Sequence, residues 1–76
     1  MNTFNIKLST IEDIRKFVEI VTRIDYDVDL SSGRYVVDAK SIMGIFSLDL
    51  MNPIQLTAHV ENADSLKEAL AKFVVA

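Results

Sequence analysis

Residues 40–48 read KSIMGIFSL and predict a short helix that is apolar on almost every side. Ser41 is a favourable N-cap residue, and apolar side chains fill most of the two turns that follow it. Because a helix of this length can bury only one stripe against a core, we expect part of Ile42, Met43 and Phe46 to face water. An exposed apolar surface beside a hydroxyl at a helix start predicts a protein-docking surface with a modification site at its edge.

The chain before this helix predicts a strand followed by a long amphipathic helix. Residues 3–8 alternate between apolar and polar side chains, which is typical of a half-buried strand. Apolar residues then recur at spacings of three and four, which indicates a helix with one buried stripe. The stripe comprises Ile11, Ile14, Phe17, Val18, Val21 and Ile24. Two overlapping capping boxes fit the start of this helix, namely Ser9 with Glu12 and Thr10 with Asp13.

The rest of the chain predicts a hairpin, a further strand and a last helix. Residues 27–30 and 35–37 have strand character on either side of a turn in which Gly33 supplies a positive φ. Residues 54–60 alternate cleanly, which predicts a strand with one covered and one wet side. A final helical stripe follows, made of Leu66, Ala69, Leu70 and Phe73.

These elements predict an α+β fold, a two-layer open-faced β-sandwich. Its four-stranded antiparallel sheet carries three helices on one face, in the chain order strand, helix, strand, strand, helix, strand, helix. The other face of the sheet is expected to be free of helices and polar. Its predicted lining is Asn5, Lys7, Gln55, Thr57 and His59.

Length and composition indicate one soluble domain that spans residues 1–76. Half of the residues are apolar and none is cysteine, so the chain offers neither a disulfide framework nor a thiolate metal site. The net charge of −3 argues against direct nucleic-acid binding. No stretch resembles a membrane span or a signal peptide, so we expect a cytoplasmic protein with no membrane partner and no cofactor.

Two features of the sequence are candidates for a metal or catalytic site. Asp25, Asp27 and Asp29 are spaced like the opening of a calcium loop, but the glycine and the terminal glutamate of an EF-hand are missing. We interpret them as an acidic strand edge. His59 is the only histidine, and no nucleophile or second imidazole is placed beside it, so we interpret it as a solvent-facing side chain. We therefore expect neither an enzyme nor a metal-binding protein.

Residues 37–50, VDAKSIMGIFSLDL, resemble the segment around the regulatory serine of HPr, the small histidine phosphocarrier of the bacterial sugar phosphotransferase system. The similarity extends into residues 26–40, YDVDLSSGRYVVDAK, and more weakly over the whole chain. The resemblance implies the open-faced sandwich of HPr, which agrees with the fold predicted from periodicity.

The same resemblance implies that this chain has lost the usual phosphocarrier site. HPr proteins carry a phospho-accepting histidine, an arginine two residues later and then a proline. Gap-free alignment from KSIMG places Thr10, Glu12 and Asp13 at these positions. A hydroxyl cannot replace imidazole, because a phosphate ester lacks the high transfer potential of the nitrogen–phosphorus bond. The two carboxylates also repel phosphoryl oxygens that a guanidinium would stabilise.

Ser41 has two interpretations. From the residues alone it is an N-cap. The resemblance adds phosphorylation, because Ser41 matches the serine that an ATP-dependent HPr kinase modifies in Gram-positive relatives. In those bacteria the phosphorylated form is a corepressor for a catabolite-control transcription factor. We therefore expect a regulatory module that docks through Ile42, Met43 and Phe46 to such a kinase, to such a transcription factor or to other phosphotransferase-system proteins.

Two other functions stay open on the sequence. The chain could be a phosphocarrier that uses a non-standard residue, for which His59 is the only nitrogen candidate. It could also be an HPr-derived binding domain in which Ser41 is only a cap. The exposed apolar helix leaves homodimerisation open as well.

Overall fold

The computed structural model describes residues 2–76, which form eight elements of secondary structure. In chain order these are β1 (Thr3–Ile6), α1 (Ile11–Val21), β2 (Val28–Ser32), β3 (Tyr35–Asp38), α2 (Ile42–Phe46), β4 (Ile54–Ala58), α3 (Asp64–Ala69) and β5 (Val74–Val75). The strands form one antiparallel sheet in the order β3-β2-β4-β1-β5. The predicted α+β sandwich with three helices is confirmed, with one strand more than predicted.

The hydrophobic core lies between the helices and one face of the sheet. The register aligns Phe4, Leu56 and Leu30 across β1, β4 and β2, and all three side chains are buried. Each helix adds buried side chains to the same cluster. These are Ile14, Phe17 and Val21 of α1, Ile45 of α2 and Leu66 of α3. The three helices therefore cover the same face of the sheet, as predicted.

The opposite face of the sheet is polar. The register brings Asn5, Gln55 and Ser31 side by side on this face, with Thr57 in the next row. Gln55 is exposed and the other three are half-buried. His59 follows β4 and is exposed as well. The side of the sheet that was predicted to lack helices therefore consists of amides and hydroxyls in its centre.

The fifth strand explains how the end of the chain is held. Val74 and Val75 pair with Ile6 and Asn5 of β1, and the Lys7 amide donates to the Phe73 carbonyl over 2.8 Å. A strand of two residues is too short to alternate, so periodicity does not reveal it. Because β5 covers the outer side of β1, the edges of the sheet are β3 and β5.

Helix α1 differs from the predicted pattern in its cap, its first turn and its end. Of the two predicted capping boxes, the one between Thr10 and Asp13 forms in part: the Thr10 side chain accepts from the Asp13 amide, but Asp13 Oδ2 accepts from the Ser9 amide. Ile11 was expected on the buried stripe, but 65% of it is exposed, and burial begins one turn later at Ile14. The helix also ends at Val21, before the predicted stripe does.

The predicted hairpin between β2 and β3 is confirmed. Ser32 pairs with Tyr35, which leaves Gly33 and Arg34 as a two-residue loop. Gly33 has φ 61°, the positive value that the sequence predicted for this turn. Within residues 2–76, no helix is long and apolar enough to cross a membrane.

Candidate functional site

The candidate site is built around the start of α2. Ser41 has φ −101° and ψ 108°, so its backbone is extended and the helix begins directly after it. Its Oγ accepts a hydrogen bond from the Gly44 amide over 3.1 Å, which makes Ser41 the N-cap that the sequence predicted. Its own amide donates to the Asp38 carbonyl at 3.0 Å and thereby joins the end of β3 to α2.

The apolar side chains of α2 divide between core and solvent. Ile45 is fully buried. By contrast, Ile42, Met43 and Phe46 are 38%, 77% and 47% exposed, and we call these three residues the α2 patch. The expectation that they face water agrees with the structure. Their role in docking stays a prediction.

Two lysine side chains fix α2 relative to α1. Lys40 Nζ donates to the Ile24 carbonyl at 2.8 Å, which ties the start of α2 to the segment after α1. Lys7 Nζ donates to the Leu50 carbonyl at 2.9 Å, which ties the segment after α2 to the strand that leads to α1. The start of α2 therefore lies near the end of α1, and the segment after α2 lies near the start of α1. The α2 patch lies between these two anchored ends.

The charged residues closest to Ser41 in the chain are Asp38 and Lys40. The first turn of α2 carries no acidic side chain. Asp38 is the nearest carboxylate in sequence, and its Oδ1 accepts from the Lys40 amide at 2.8 Å. Lys40 precedes Ser41 in the chain, but its Nζ donates to the Ile24 carbonyl, so the start of α2 presents mainly its backbone N–H groups.

The start of α1 has the opposite character. The Thr10 Oγ1 accepts from the Asp13 amide at 3.0 Å, and Asp13 Oδ2 accepts from the Ser9 amide at 3.2 Å. Glu12 is exposed in the same turn. At this helix start, the threonine hydroxyl satisfies a backbone donor, and two carboxylates lie in the first turn.

His59 lies far from this junction in the topology. Its Nε2 is 2.6 Å from Asp29 Oδ2, and the two side chains are 53% and 35% exposed. The Ala58 amide before it donates to the Asn2 carbonyl, so His59 lies beside the beginning of β1. Thr10 follows the other end of β1, so the structure does not bring the only histidine to the position that the family pattern assigns to the phosphoryl carrier.

Two exposed apolar residues were not predicted as part of the site. Ile11 lies in the first turn of α1, and Met51 follows Leu50, the residue that Lys7 holds against the strand leading to α1. Both are therefore near the end of the sheet at which α1 begins. Sequence periodicity assigned Ile11 to the core, and no pattern pointed to Met51 because it lies in a loop.

An open cleft of about 860 Å³ lies between the hairpin turn and the segment that follows α2. Its lining is Asn5, Ser31, Ser32, Gly33, Arg34, Tyr35, Ser47, Leu48, Asp49, Asn52, Pro53 and Gln55. None of the predicted site residues lines it. In residues 2–76, no group of three or more His, Cys, Asp or Glu side chains is arranged to hold a metal ion.

Known proteins share both the sequence pattern and the fold. A family sequence model described as the PTS HPr component phosphorylation site matches residues 13–76. HPr-C-His from Thermoanaerobacter tengcongensis has a TM-score of 0.79 at 24% identity, over 95% of this chain and 89% of that chain. The phosphocarrier protein HPr from Bacillus anthracis str. Ames has a TM-score of 0.73 at 28% identity, over 96% and 95%. No curated protein sequence matches the chain.

These similarities first define a class, the small open-faced sandwiches formed by phosphocarrier proteins. Because the family model covers most of the chain, the chain belongs to the HPr family of the phosphotransferase system. Members of this family are phosphocarriers rather than enzymes, and they act together with other proteins of that system. The matched residues begin at Asp13, so Thr10 and Glu12 lie outside the match.

Proposed function

We propose that this HPr-family protein is a regulatory protein-interaction module and not a histidine phosphocarrier. It docks through the α2 patch, and phosphorylation of Ser41 controls which partner binds. The observation that carries the proposal is the exposure of Met43, at 77%, on the same short helix that Ser41 caps. An apolar side chain that the fold does not cover is available to a partner protein.

The start of α1 supports the loss of phosphotransfer. The Thr10 hydroxyl forms an ester rather than a phosphoramidate if it is phosphorylated, and it is engaged as a cap. Glu12 and Asp13 place negative charge where the incoming phosphoryl oxygens need a cation. The alternative carrier, His59, lies at the other end of β1 from Thr10, so it does not take the place of a histidine at the start of α1.

The surroundings of Ser41 support phosphorylation as the switch. The kinase transfers the γ-phosphoryl group of ATP to Ser41 Oγ, the hydroxyl loses its proton, and ADP leaves. The phosphate oxygens then accept from the backbone amides at the start of α2, in place of the hydroxyl that accepts from Gly44. No carboxylate in the first turn repels them. The added charge of about −2 lies beside Ile42, so it changes the partners that suit the α2 patch.

We propose partners of three kinds, which follow from the HPr family. An HPr kinase modifies Ser41, and a catabolite-control transcription factor binds the phosphorylated form. Other phosphotransferase-system proteins bind the unmodified form. All three contact the same short helix, because the α2 patch and Ser41 are contiguous in the chain.

Phosphorylation is tested by mass spectrometry in two reactions. One contains phosphoenolpyruvate and the general phosphotransfer enzyme, and the other contains ATP and HPr kinase. We expect one added phosphoryl group in the second reaction only. The gain disappears in Ser41→Ala and persists in Ser47→Ala, which removes the hydroxyl at the other end of α2. A gain in the first reaction that His59→Ala abolishes contradicts the proposal and supports phosphotransfer through His59.

Docking is tested with both forms of the protein against a purified catabolite-control transcription factor from a Gram-positive relative. Met43→Asp inserts a carboxylate into the α2 patch, and Val75→Asp makes the same change on the distant strand β5. We expect Met43→Asp to weaken binding of the phosphorylated form by about tenfold or more, and Val75→Asp to leave it within about twofold. Equal effects of the two variants, or no phosphoryl gain in either reaction, contradict the regulatory role.

A further inference from the structure

We propose that Met43 is a second modification site on the α2 patch, where a peroxide oxidises the thioether to a sulfoxide and thereby prevents docking. This redox control rests on the docking role proposed above, and it is independent of the phosphorylation of Ser41. Phosphorylation changes which partner binds, whereas oxidation of Met43 weakens docking of both the phosphorylated and the unmodified form.

All of the sulfur in this chain belongs to methionine. The sequence contains no cysteine, and its three methionines are at positions 1, 43 and 51. The buried core of residues 2–76 contains no methionine, since it consists of Phe, Ile, Leu, Val and Ala side chains only. A peroxide therefore meets the reactive sulfur of the described chain at the surface, and the core offers it no thioether to oxidise.

The two methionines that the structure describes have similar exposure and different surroundings. Met43 is 77% exposed, the largest value in the α2 patch, and it lies two residues after Ser41. Met51 is 83% exposed in the segment after α2, where its amide donates to Asp49 Oδ1 over 3.0 Å. Both thioethers are accessible to a small oxidant, but only the Met43 thioether belongs to the α2 patch.

The oxidation transfers one oxygen atom from the peroxide to the Met43 sulfur. A sulfur lone pair attacks one oxygen of hydrogen peroxide, the O–O bond breaks and an S–O bond forms. The transferred oxygen gives its proton to the departing hydroxide, which leaves as water. The sulfur loses two electrons and the peroxide gains them, so the step needs no other reactant. Methionine sulfoxide reductases reverse the oxidation, with a thiol as the reductant.

The sulfoxide is tolerated in the free protein and opposed in a complex. Because Met43 is mostly exposed, water solvates the new S=O group and the fold remains intact. A partner that covers the α2 patch removes this water and leaves a strong acceptor in an apolar contact. A flexible thioether suits such a contact, whereas a polar sulfoxide does not. Oxidation therefore weakens docking without unfolding α2.

The first test is a peroxide series on the full chain, phosphorylated at Ser41 before oxidation. Catalase removes the peroxide, and binding to the purified catabolite-control transcription factor is then measured. Peptide mass spectrometry gives the sulfoxide fraction at each methionine. We expect binding to fall in proportion to the sulfoxide at Met43, to at least about tenfold weaker at completion. Treatment with methionine sulfoxide reductases and a thiol is expected to restore it.

Two variants assign the effect to one sulfur. Met43→Leu and Met51→Leu each remove a thioether at nearly constant volume, and each is compared with its own unoxidised form. We expect oxidation to weaken binding of Met51→Leu at least about tenfold and to change that of Met43→Leu less than about twofold. If Met43→Leu does not bind before oxidation, the peroxide series on Met51→Leu and its reversal by the reductases decide. Circular dichroism in urea is expected to show the same unfolding midpoint before and after oxidation.

The outcomes separate this redox control from the docking role on which it rests. If the unoxidised, phosphorylated wild type does not bind, the docking role is contradicted and the redox control is wrong with it. If binding survives complete oxidation of Met43, the redox control alone is overturned. Protection by Met51→Leu in place of Met43→Leu also overturns it. So does an oxidised protein that has unfolded, because the loss of binding would then not arise in the α2 patch.

Discussion

At the scale of single residues, Thr10 and Ser41 have the same local task and different surroundings. Both precede a helix with extended backbone, and both accept from the amide three residues later. Thr10 is followed by two carboxylates, whereas no acidic side chain follows Ser41 in the first turn of its helix. The two helix starts therefore have the same kind of cap and differ in the charges that follow it.

The cap at Thr10 predicts a measurable loss of stability. Thr10→Ala removes the acceptor of the Asp13 amide, and we expect the free energy of unfolding to fall by about 1 kcal/mol in urea titration. Ser9→Ala is the matched control, because the Ser9 contact to Asp13 uses its backbone amide, which alanine retains. Its effect should stay within about 0.5 kcal/mol. Equal losses in the two variants would contradict the assignment of Thr10 as the cap.

Residue-level prediction from the sequence succeeded where the chemistry is local. Ser41 was predicted as a cap because its neighbours in the chain determine that role. Ile11 was wrongly predicted to be buried. The helical period assigns each residue to a side of the helix, but it does not show which turns of the helix lie over the sheet. Met51 was overlooked for a related reason, since the exposure of a loop residue depends on long-range contacts such as the one between Lys7 and Leu50.

At the scale of elements, Gly44 allows α2 to approach β3 closely. A Cβ added at Gly44 would lie 3.2 Å from the Val37 Cβ and 3.3 Å from the Ser41 Oγ. The helix therefore approaches the strand at the position with no side chain, and this close approach turns the α2 patch outward. The sequence predicted both elements, but only the coordinates reveal that Gly44 sets the distance between them.

This close approach predicts that a valine at position 44 and a valine at position 43 have different effects on stability. Gly44→Val pushes branched methyl groups into Val37 and the cap, so we expect a loss of about 1–3 kcal/mol in the free energy of unfolding. Met43→Val changes an exposed residue of the same helix and should stay within about 0.5 kcal/mol. Thermal and urea unfolding measure both. A Gly44→Val protein as stable as Met43→Val would mean that α2 does not depend on this contact.

At the scale of the whole molecule, the fold depends on one apolar core. The buried cluster is entirely apolar, and no polar or charged side chain in residues 2–76 is buried with it. Its alternating and helical patterns are why the layer architecture was predictable from the sequence, whereas β5 was too short to give a pattern. The α2 patch contributes little to this cluster, so changes there are expected to alter binding and to leave stability almost intact.

Phe17 tests the dependence of the whole fold on that single core. Its ring is fully buried and meets Phe73 edge-on, with centroids 6.3 Å apart, so it connects α1 to the segment after α3. Phe17→Ala should cost about 3–5 kcal/mol. For a domain of 76 residues the total stability is about 4–11 kcal/mol, so the variant should be largely or wholly destabilised.

The matched control for Phe17 lies on the same helix. Ile11→Ala also truncates an apolar side chain, but one that is mostly exposed, so we expect a change within about 0.5 kcal/mol. Circular dichroism in a urea titration measures both variants at 25 °C. A loss in Ile11→Ala as large as that in Phe17→Ala would mean that Ile11 belongs to the core, as the periodicity of the sequence predicted. A small loss in Phe17→Ala would contradict the dependence of the fold on a single core. Another source of stability would then be needed to hold the sheet and its three helices together.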